Sequence, residues 1–116
     1  MAAAFQVQTS TIASGTGEIK VVEAEGELDL DTHLALQGEL DALVDGAGRR
    51  LLVDLSRLAF IDSVGIATIY HASTRFARLA LVVLPGSRVA GMLERCAIDQ
   101  MLPVASTRAE AVQALA

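Results

Sequence analysis

Apolar and polar positions change period several times along the chain, and each change marks an element. Near the start, Phe5, Gln6, Val7 and Gln8 alternate apolar and polar side chains, the period of a half-buried strand, and the small polar residues of 1–17 suit a sheet edge. After the turn Gly15-Thr16-Gly17, residues 19–28 read as a second strand. Ile19, Val21 and Val22 favour extended backbone there, and Glu23, Glu25 and Glu27 alternate so that one face is wet. Leu36, Leu40, Leu43 and Val44 recur at i, i+4, i+7 and i+8, the stripe of a helix capped by Asp31 or Thr32 and ended by Gly46 and Gly48. Leu51–Leu55 is a short apolar run, which predicts a strand buried on both faces as in a parallel sheet. Leu58–Ile61 then leads into a helix from Val64 to about Phe76, for which Asp62 and Ser63 are both suitable caps.

Residues 79–84 are too short an apolar run for a helix and close at Pro85-Gly86, so they read as a buried strand. Ser87 caps a helix that carries Val89, Met92, Leu93 and Cys96 at i, i+3, i+4 and i+7. Met101–Val104 reads as a brief edge strand, and Thr107 to Glu110 as a capping box opening a last helix to Leu115. The order is β-β-α-β-α-β-α-β-α. Right-handed crossovers turn that order into an α/β sandwich, a small mixed, mostly parallel sheet of about five strands with about four helices. With 116 residues the expectation is a single domain over 1–116, in which 1–16 is irregular or an edge strand.

Composition narrows the function. Apolar residues make up 53% of the chain, enough for a core, but aromatics are only Phe5, Phe60, Tyr70 and Phe76, so platforms for stacking nucleobases are lacking. A net charge of −5 likewise argues against nucleic acid as a partner. That charge is uneven: residues 1–48 hold nine carboxylates against Lys20, and residues 49–116 hold eight arginines against five carboxylates. The lone Cys96 forbids an internal disulfide and, on the apolar stripe of its helix, reads as a small core residue. With His33 and His71 as the other soft ligands, no structural zinc site is expected. The absence of a signal peptide or an apolar run of membrane length predicts a soluble, cytoplasmic chain without membrane insertion.

Candidate chemistry is sparse. No Gly-Lys pair exists from which a phosphate loop could be built, and no G-x-S-x-G elbow for a serine nucleophile, so the expectation is a non-enzymatic chain without cofactor or metal. Glu27, Asp29 and Asp31 form an acidic cluster, but on a strand alternate residues point to opposite faces, and the cluster reads as a solvated rim or helix cap. The informative stretch is Asp62-Ser63-Val64-Gly65, at the carboxyl end of a buried strand where a helix begins. Open α/β sheets place functional loops there, and helix amides favour an anion such as a phosphoryl group on a nearby hydroxyl. Ser63 is then either a modification site or an N-cap.

These residues carry a family resemblance. Gly26-Glu27-Leu28-Asp29-Leu30-Asp31-Thr32, then Leu51-Leu52-Val53-Asp54-Leu55-Ser56, then Phe60-Ile61-Asp62-Ser63-Val64-Gly65-Ile66, resemble in this order the STAS domain of anti-sigma factor antagonists, and the likeness covers about 17–115. The resemblance implies a switch: the antagonist binds an anti-sigma factor that is also a GHKL-type serine kinase, a sigma factor is released, and phosphorylation ends the complex. It implies a partner surface of Asp29, Asp31, Thr32, Asp62, Ser63, Val64, Gly65 and Ile66, with a weak homodimer as a further association. The family's usual phosphoacceptor position is Val64 here, which has no hydroxyl. Three readings follow: a constitutively active antagonist, phosphorylation at Ser63 instead, or a non-phosphorylated STAS adaptor subunit of a lipid-transport ABC complex. A further departure is Ala97, where the family usually has glycine after the third helix.

Overall fold

The strands lie in the sheet in the order in which the chain makes them. The structure, a computed structural model, describes residues 4–15, 17–44 and 49–116. Among these, β1 (Gln6–Ser14) and β2 (Gly17–Leu28) form an antiparallel hairpin, and β3 (Arg50–Ile61), β4 (Arg78–Val82) and β5 (Val104–Ala105) add in parallel, giving the order β1-β2-β3-β4-β5. Between them run α1 (His33–Leu43), α2 (Ser63–Ser73) and α3 (Arg88–Arg95), with a single 3₁₀ turn Ile98–Gln100 and, after β5, α4 (Arg108–Ala114). The expected element order and the mixed five-stranded α/β sandwich with four helices are what forms.

Because β2 to β5 step in one direction, right-handed crossovers put α1, α2 and α3 on the same face of the sheet. The larger core lies there, with Val22, Ala24, Leu51, Val53 and Leu81 beneath Leu36, Leu40, Ile66, Ile69, Val89 and Leu93. The opposite face carries a smaller core in which Ile19, Val21, Leu52, Ala80 and Val82 meet Ala111 and Leu115 of α4. Strand periodicity accounts for this partition: odd residues of β2 and even residues of β3 face α4.

Several boundaries differ from expectation. The first strand runs to Ser14 rather than ending at Gln8, because pairing with β2 along its whole length supplies the hydrogen bonds that polar residues such as Gln8, Thr9 and Ser10 leave open at an edge. β3 continues through Ser56 and Arg57 to Ile61, and register shifts opposite Glu23–Glu25 and Gly26–Glu27 keep it in step with β2. α2 stops at Ser73, so Phe76 enters the core from the connection. β4 ends at Val82, leaving Leu84 exposed, and the last strand is only Val104–Ala105, with Met101 outside it. α1 ends at Leu43, while Gly46 and Gly48, expected to end it, lie outside the described residues. Ser87 and Thr107 cap as expected, accepting from the amides of Ala90 and Glu110.

Ala97 holds the left-handed conformation with φ 57° and ψ 28°, directly after α3. A Cβ in that region costs about 1–2 kcal/mol, which glycine avoids at the expense of a more flexible unfolded chain. The helix therefore ends in a left-handed residue, with strain where glycine would have none. Ala97→Gly is expected to raise stability by about 0.5–1 kcal/mol in urea denaturation; a loss would mean that Ala97 is unstrained.

Candidate functional site

β2 and β3 run parallel and finish together, with Leu28 opposite Ile61. The segments that follow them, 29–32 and 62–66, therefore leave the sheet side by side at its carboxyl edge, where open α/β sheets present their contact loops. The amide of Asp62 donates to the Leu28 carbonyl at 3.1 Å, tying the start of α2 to the end of β2. Gly65 lies against the same place: a Cβ there would stand 2.8 Å from Leu28 Cγ, 2.9 Å from Ile61 Cγ1 and 2.9 Å from the Leu28 carbonyl oxygen. Absence of a side chain lets the first turn of α2 sit directly on the strand ends.

The segment 29–32 is organised by Asp29 and Thr32. Asp29 Oδ1 accepts from the Asp31 amide at 3.0 Å, and Thr32 Oγ1 accepts from the Asp29 amide at 3.0 Å while donating to the Glu27 carbonyl at 2.8 Å. Thr32 occupies the N-cap of α1, yet its hydroxyl makes no capping bond to that helix; Asp31 is exposed. Of the two caps the sequence offered, Thr32 thus has the position, and its side chain closes the preceding turn instead. The acidic cluster is a turn and a rim, and among the described residues no group of three His, Cys, Asp or Glu side chains is placed to hold a metal.

At the start of α2 the ambiguity between Asp62 and Ser63 resolves. Asp62 is the N-cap, its Oδ1 accepting from the Gly65 amide at 2.9 Å. Ser63 is the exposed first residue of the helix, and its hydroxyl has no hydrogen-bond partner among the described residues. Val64 is half-buried, and its carbonyl receives the Thr68 hydroxyl at 2.9 Å. Gly65 and Ile66 are buried and serve packing. The reachable part of the 62–66 segment is thus Asp62, Ser63 and the edge of Val64.

Two features escaped the sequence reading. Leu30, in the 29–32 turn, and Leu34, in the first turn of α1, are 67% and 68% exposed, two apolar side chains facing water. Leu34 lies off the Leu36–Leu40–Leu43 stripe of α1, and that offset was the available signal. The second is an ionic cluster on the α4 face. Glu23 and Asp54 are register partners, and Arg108 at the start of α4 reaches both, at 2.5 Å and 2.7 Å. Asp54 is buried, which by itself would raise its pKa; bonds from the Ser56 hydroxyl and amide and from Arg108 outweigh that and hold the carboxyl below its ordinary value. A single aspartate within the run Leu51-Leu52-Val53-Asp54-Leu55 was its only trace in the sequence.

Comparison with known proteins gives a consistent answer. The family model described as "Mlab, STAS domain" matches residues 13–103. Among solved structures, an anti-sigma factor antagonist from Mycobacterium paratuberculosis superposes with a TM-score of 0.78 at 22% identity, covering 95% of this chain and 94% of that one. The anti-sigma factor antagonist SpoIIAA in its unphosphorylated form gives 0.64 at 20% identity, covering 95% and 96%. The phosphorylated form of the Bacillus cell fate determinant SpoIIAA gives 0.60 at 19%, covering 97% and 100%. At these identities the likeness shows a SpoIIAA-like fold. Among curated proteins, none matches the sequence significantly. Among the described residues no helix is long and apolar enough to cross a membrane.

Proposed function

The chain belongs to the STAS-domain family, and from that premise we propose that it is a non-enzymatic anti-sigma factor antagonist, whose free form binds an anti-sigma factor of the serine-kinase type and so releases a sigma factor. The observation that carries this reading is the meeting of the Asp29–Thr32 turn and the start of α2 at one sheet edge, with Ser63 exposed on α2 and Leu30 and Leu34 exposed in that turn and in the first turn of α1. Exposed apolar side chains next to fixed polar groups are what a protein partner can bury. The anti-sigma factor antagonists among the structural neighbours support the same choice of partner.

Val64 shapes the regulation. With valine where the family's acceptor hydroxyl stands, the antagonist has no off-signal at that position and remains competent to bind. Ser63 is one residue earlier, about 100° away around the helix, and does not present its hydroxyl in the same direction. Incubation with kinase and ATP is expected to leave the wild type unmodified, whereas Val64→Ser gains about 80 Da, one phosphoryl group. The same mass gain mapped to Ser63 in the wild type would overturn constitutive activity.

The contact surface is tested by Ser63→Glu. A carboxylate at this exposed position crowds Asp62 and Asp29, and affinity for the purified anti-sigma factor in calorimetry should fall by roughly tenfold. Unchanged affinity would remove this surface from the interface. Val64 also favours a second reading, an adaptor subunit of a lipid-transport ABC complex, in which binding is not switched by phosphate. Recovery of transporter subunits rather than a kinase-type anti-sigma factor in an affinity pull-down would select it.

A further inference from the structure

Six of the eight arginines meet a carboxylate or a main-chain carbonyl: Arg49 with Glu18, Arg50 with Leu115, Arg57 with Glu23, Arg75 with Asp41, Arg78 with Ala116, and Arg108 with Asp54 and Glu23. Arg88 and Arg95 have neither kind of partner among the described residues, and both line the same cleft of about 320 Å³. Seven residues apart on α3, they lie on one face of that helix. The opposite wall is the end of β3, with Phe60, Ile61 and Asp62, and Met92 adds apolar surface. Arg88 is exposed, and its guanidinium lies 5.6 Å from the centre of the Phe60 ring, a cation–π distance that holds it along the cleft. Arg95 has only a weak contact to the Met92 sulfur at 3.7 Å.

We propose that this cleft docks an acidic side chain borne on an apolar segment of a partner protein, the carboxylate meeting Arg88 and Arg95 and the neighbouring apolar residue covering Phe60 and Met92. Charge decides the occupant. Two guanidiniums without an ion-pair partner among the described residues attract an anion, and Arg presents paired donors matched to a carboxylate. Asp62 on the facing wall brings the local balance from two positive charges to one, which suits a monoanionic carboxylate better than a phosphate dianion. Gly86 and Gly91 place no side chain along the cleft, so an extended backbone can approach it. Asp62 also borders the 62–66 segment, so the cleft continues from the sheet edge along α3, on the side of β3 away from β2. The inference depends on the charge and shape of this cleft and not on which partner is the physiological one.

The test is an amide chemical-shift titration of the full isotopically labelled chain with the singly acidic peptide Ac-Leu-Glu-Ala-Phe-NH₂, with its glutamine counterpart Ac-Leu-Gln-Ala-Phe-NH₂, and with inorganic phosphate. The acidic peptide is expected to cause saturable shifts at Arg88, Gly91, Met92 and Arg95 that weaken as salt is raised, while the glutamine peptide binds at least tenfold more weakly. In the double variant Arg88→Gln, Arg95→Gln, whose changes lie on exposed side chains, those shifts should disappear while the rest of the spectrum stays in place. The proposal is overturned if the acidic peptide causes no saturable shifts there, if the glutamine peptide or phosphate alone reproduces them, or if they persist in the double variant.

Discussion

Replacing Gly65 by valine is expected to cost the fold about 3 kcal/mol or more and to abolish partner binding with it. The reason lies in three contacts at once. A Cβ at this position falls 2.8 Å from Leu28 Cγ and 2.9 Å from Ile61 Cγ1, and rotation of those side chains could relieve both. It also falls 2.9 Å from the Leu28 carbonyl oxygen, which is main chain at the end of β2, already held by the Asp62 amide, and cannot turn away. The first turn of α2 must then lift from the strand ends, which breaks the bond from the Asp62 amide to that same carbonyl and separates the two loops that form the proposed contact surface. Alanine, with the Cβ alone, should cost about 1–3 kcal/mol, and valine more because its branches press further into Ile61 and Leu28. Urea denaturation of the two variants beside the wild type measures this; a valine variant within 0.5 kcal/mol of wild type would show that the helix start tolerates displacement.

The second large effect is expected at the ionic cluster that fastens α4. Arg108→Met should destabilise the chain by about 2 kcal/mol. Removing one partner of a fully buried ion pair typically costs 3–5 kcal/mol, but the Arg108 side chain is 41% exposed and Asp54 keeps its two bonds from Ser56, so the penalty is smaller. The pH dependence distinguishes this from mere loss of packing. Because the folded state holds the Asp54 carboxyl below its ordinary value of 3.8, the unfolded chain binds the proton more readily. The contribution is therefore fully present above that ordinary value and is lost as pH falls through the lower, folded one. Asp54→Asn should flatten the acid limb of stability against pH, its destabilisation being largest near neutrality and shrinking as pH falls. An acid limb unchanged in Asp54→Asn would assign the acid sensitivity to other carboxylates.

Much of the architecture was legible because it rests on local physics. The apolar runs Leu51–Leu55 and 79–84, the caps Ser87 and Thr107, and the stripe of α3 each state a period or a terminus within a few residues, and each forms the kind of element expected, although β3 runs on to Ile61 and β4 stops at Val82. Boundaries were less legible where pairing overrides composition. Gln6–Ser14 is extended because β2 offers a free edge, and Ser56–Arg57 stays in β3 because bulges absorb the mismatch, neither of which is written in the residues concerned.

The site divides in the same way. Asp62 and Ser63 were singled out from the sequence as a carboxylate and a hydroxyl at the junction of strand and helix, where capping is the first role to consider, and Asp29 joined them only through the family resemblance. Sequence alone therefore determined the class of fold and the order of its elements, because these depend on periodicity and turn chemistry acting over short distances, while the two segments proposed as a partner surface were pointed to by the family resemblance of their motifs. Tertiary structure alone decided that Asp62 caps and Ser63 is free, that Gly65 is required by contact rather than by its own dihedral angles, that Glu23, Asp54 and Arg108 form one cluster, and that Arg88 and Arg95 share a cleft. Glu23 and Arg108 stand 85 positions apart, and Phe60 and Arg88 come from different elements. Which carboxylate meets which guanidinium is set by strand register and helix placement, and those arise only when the whole sheet has formed.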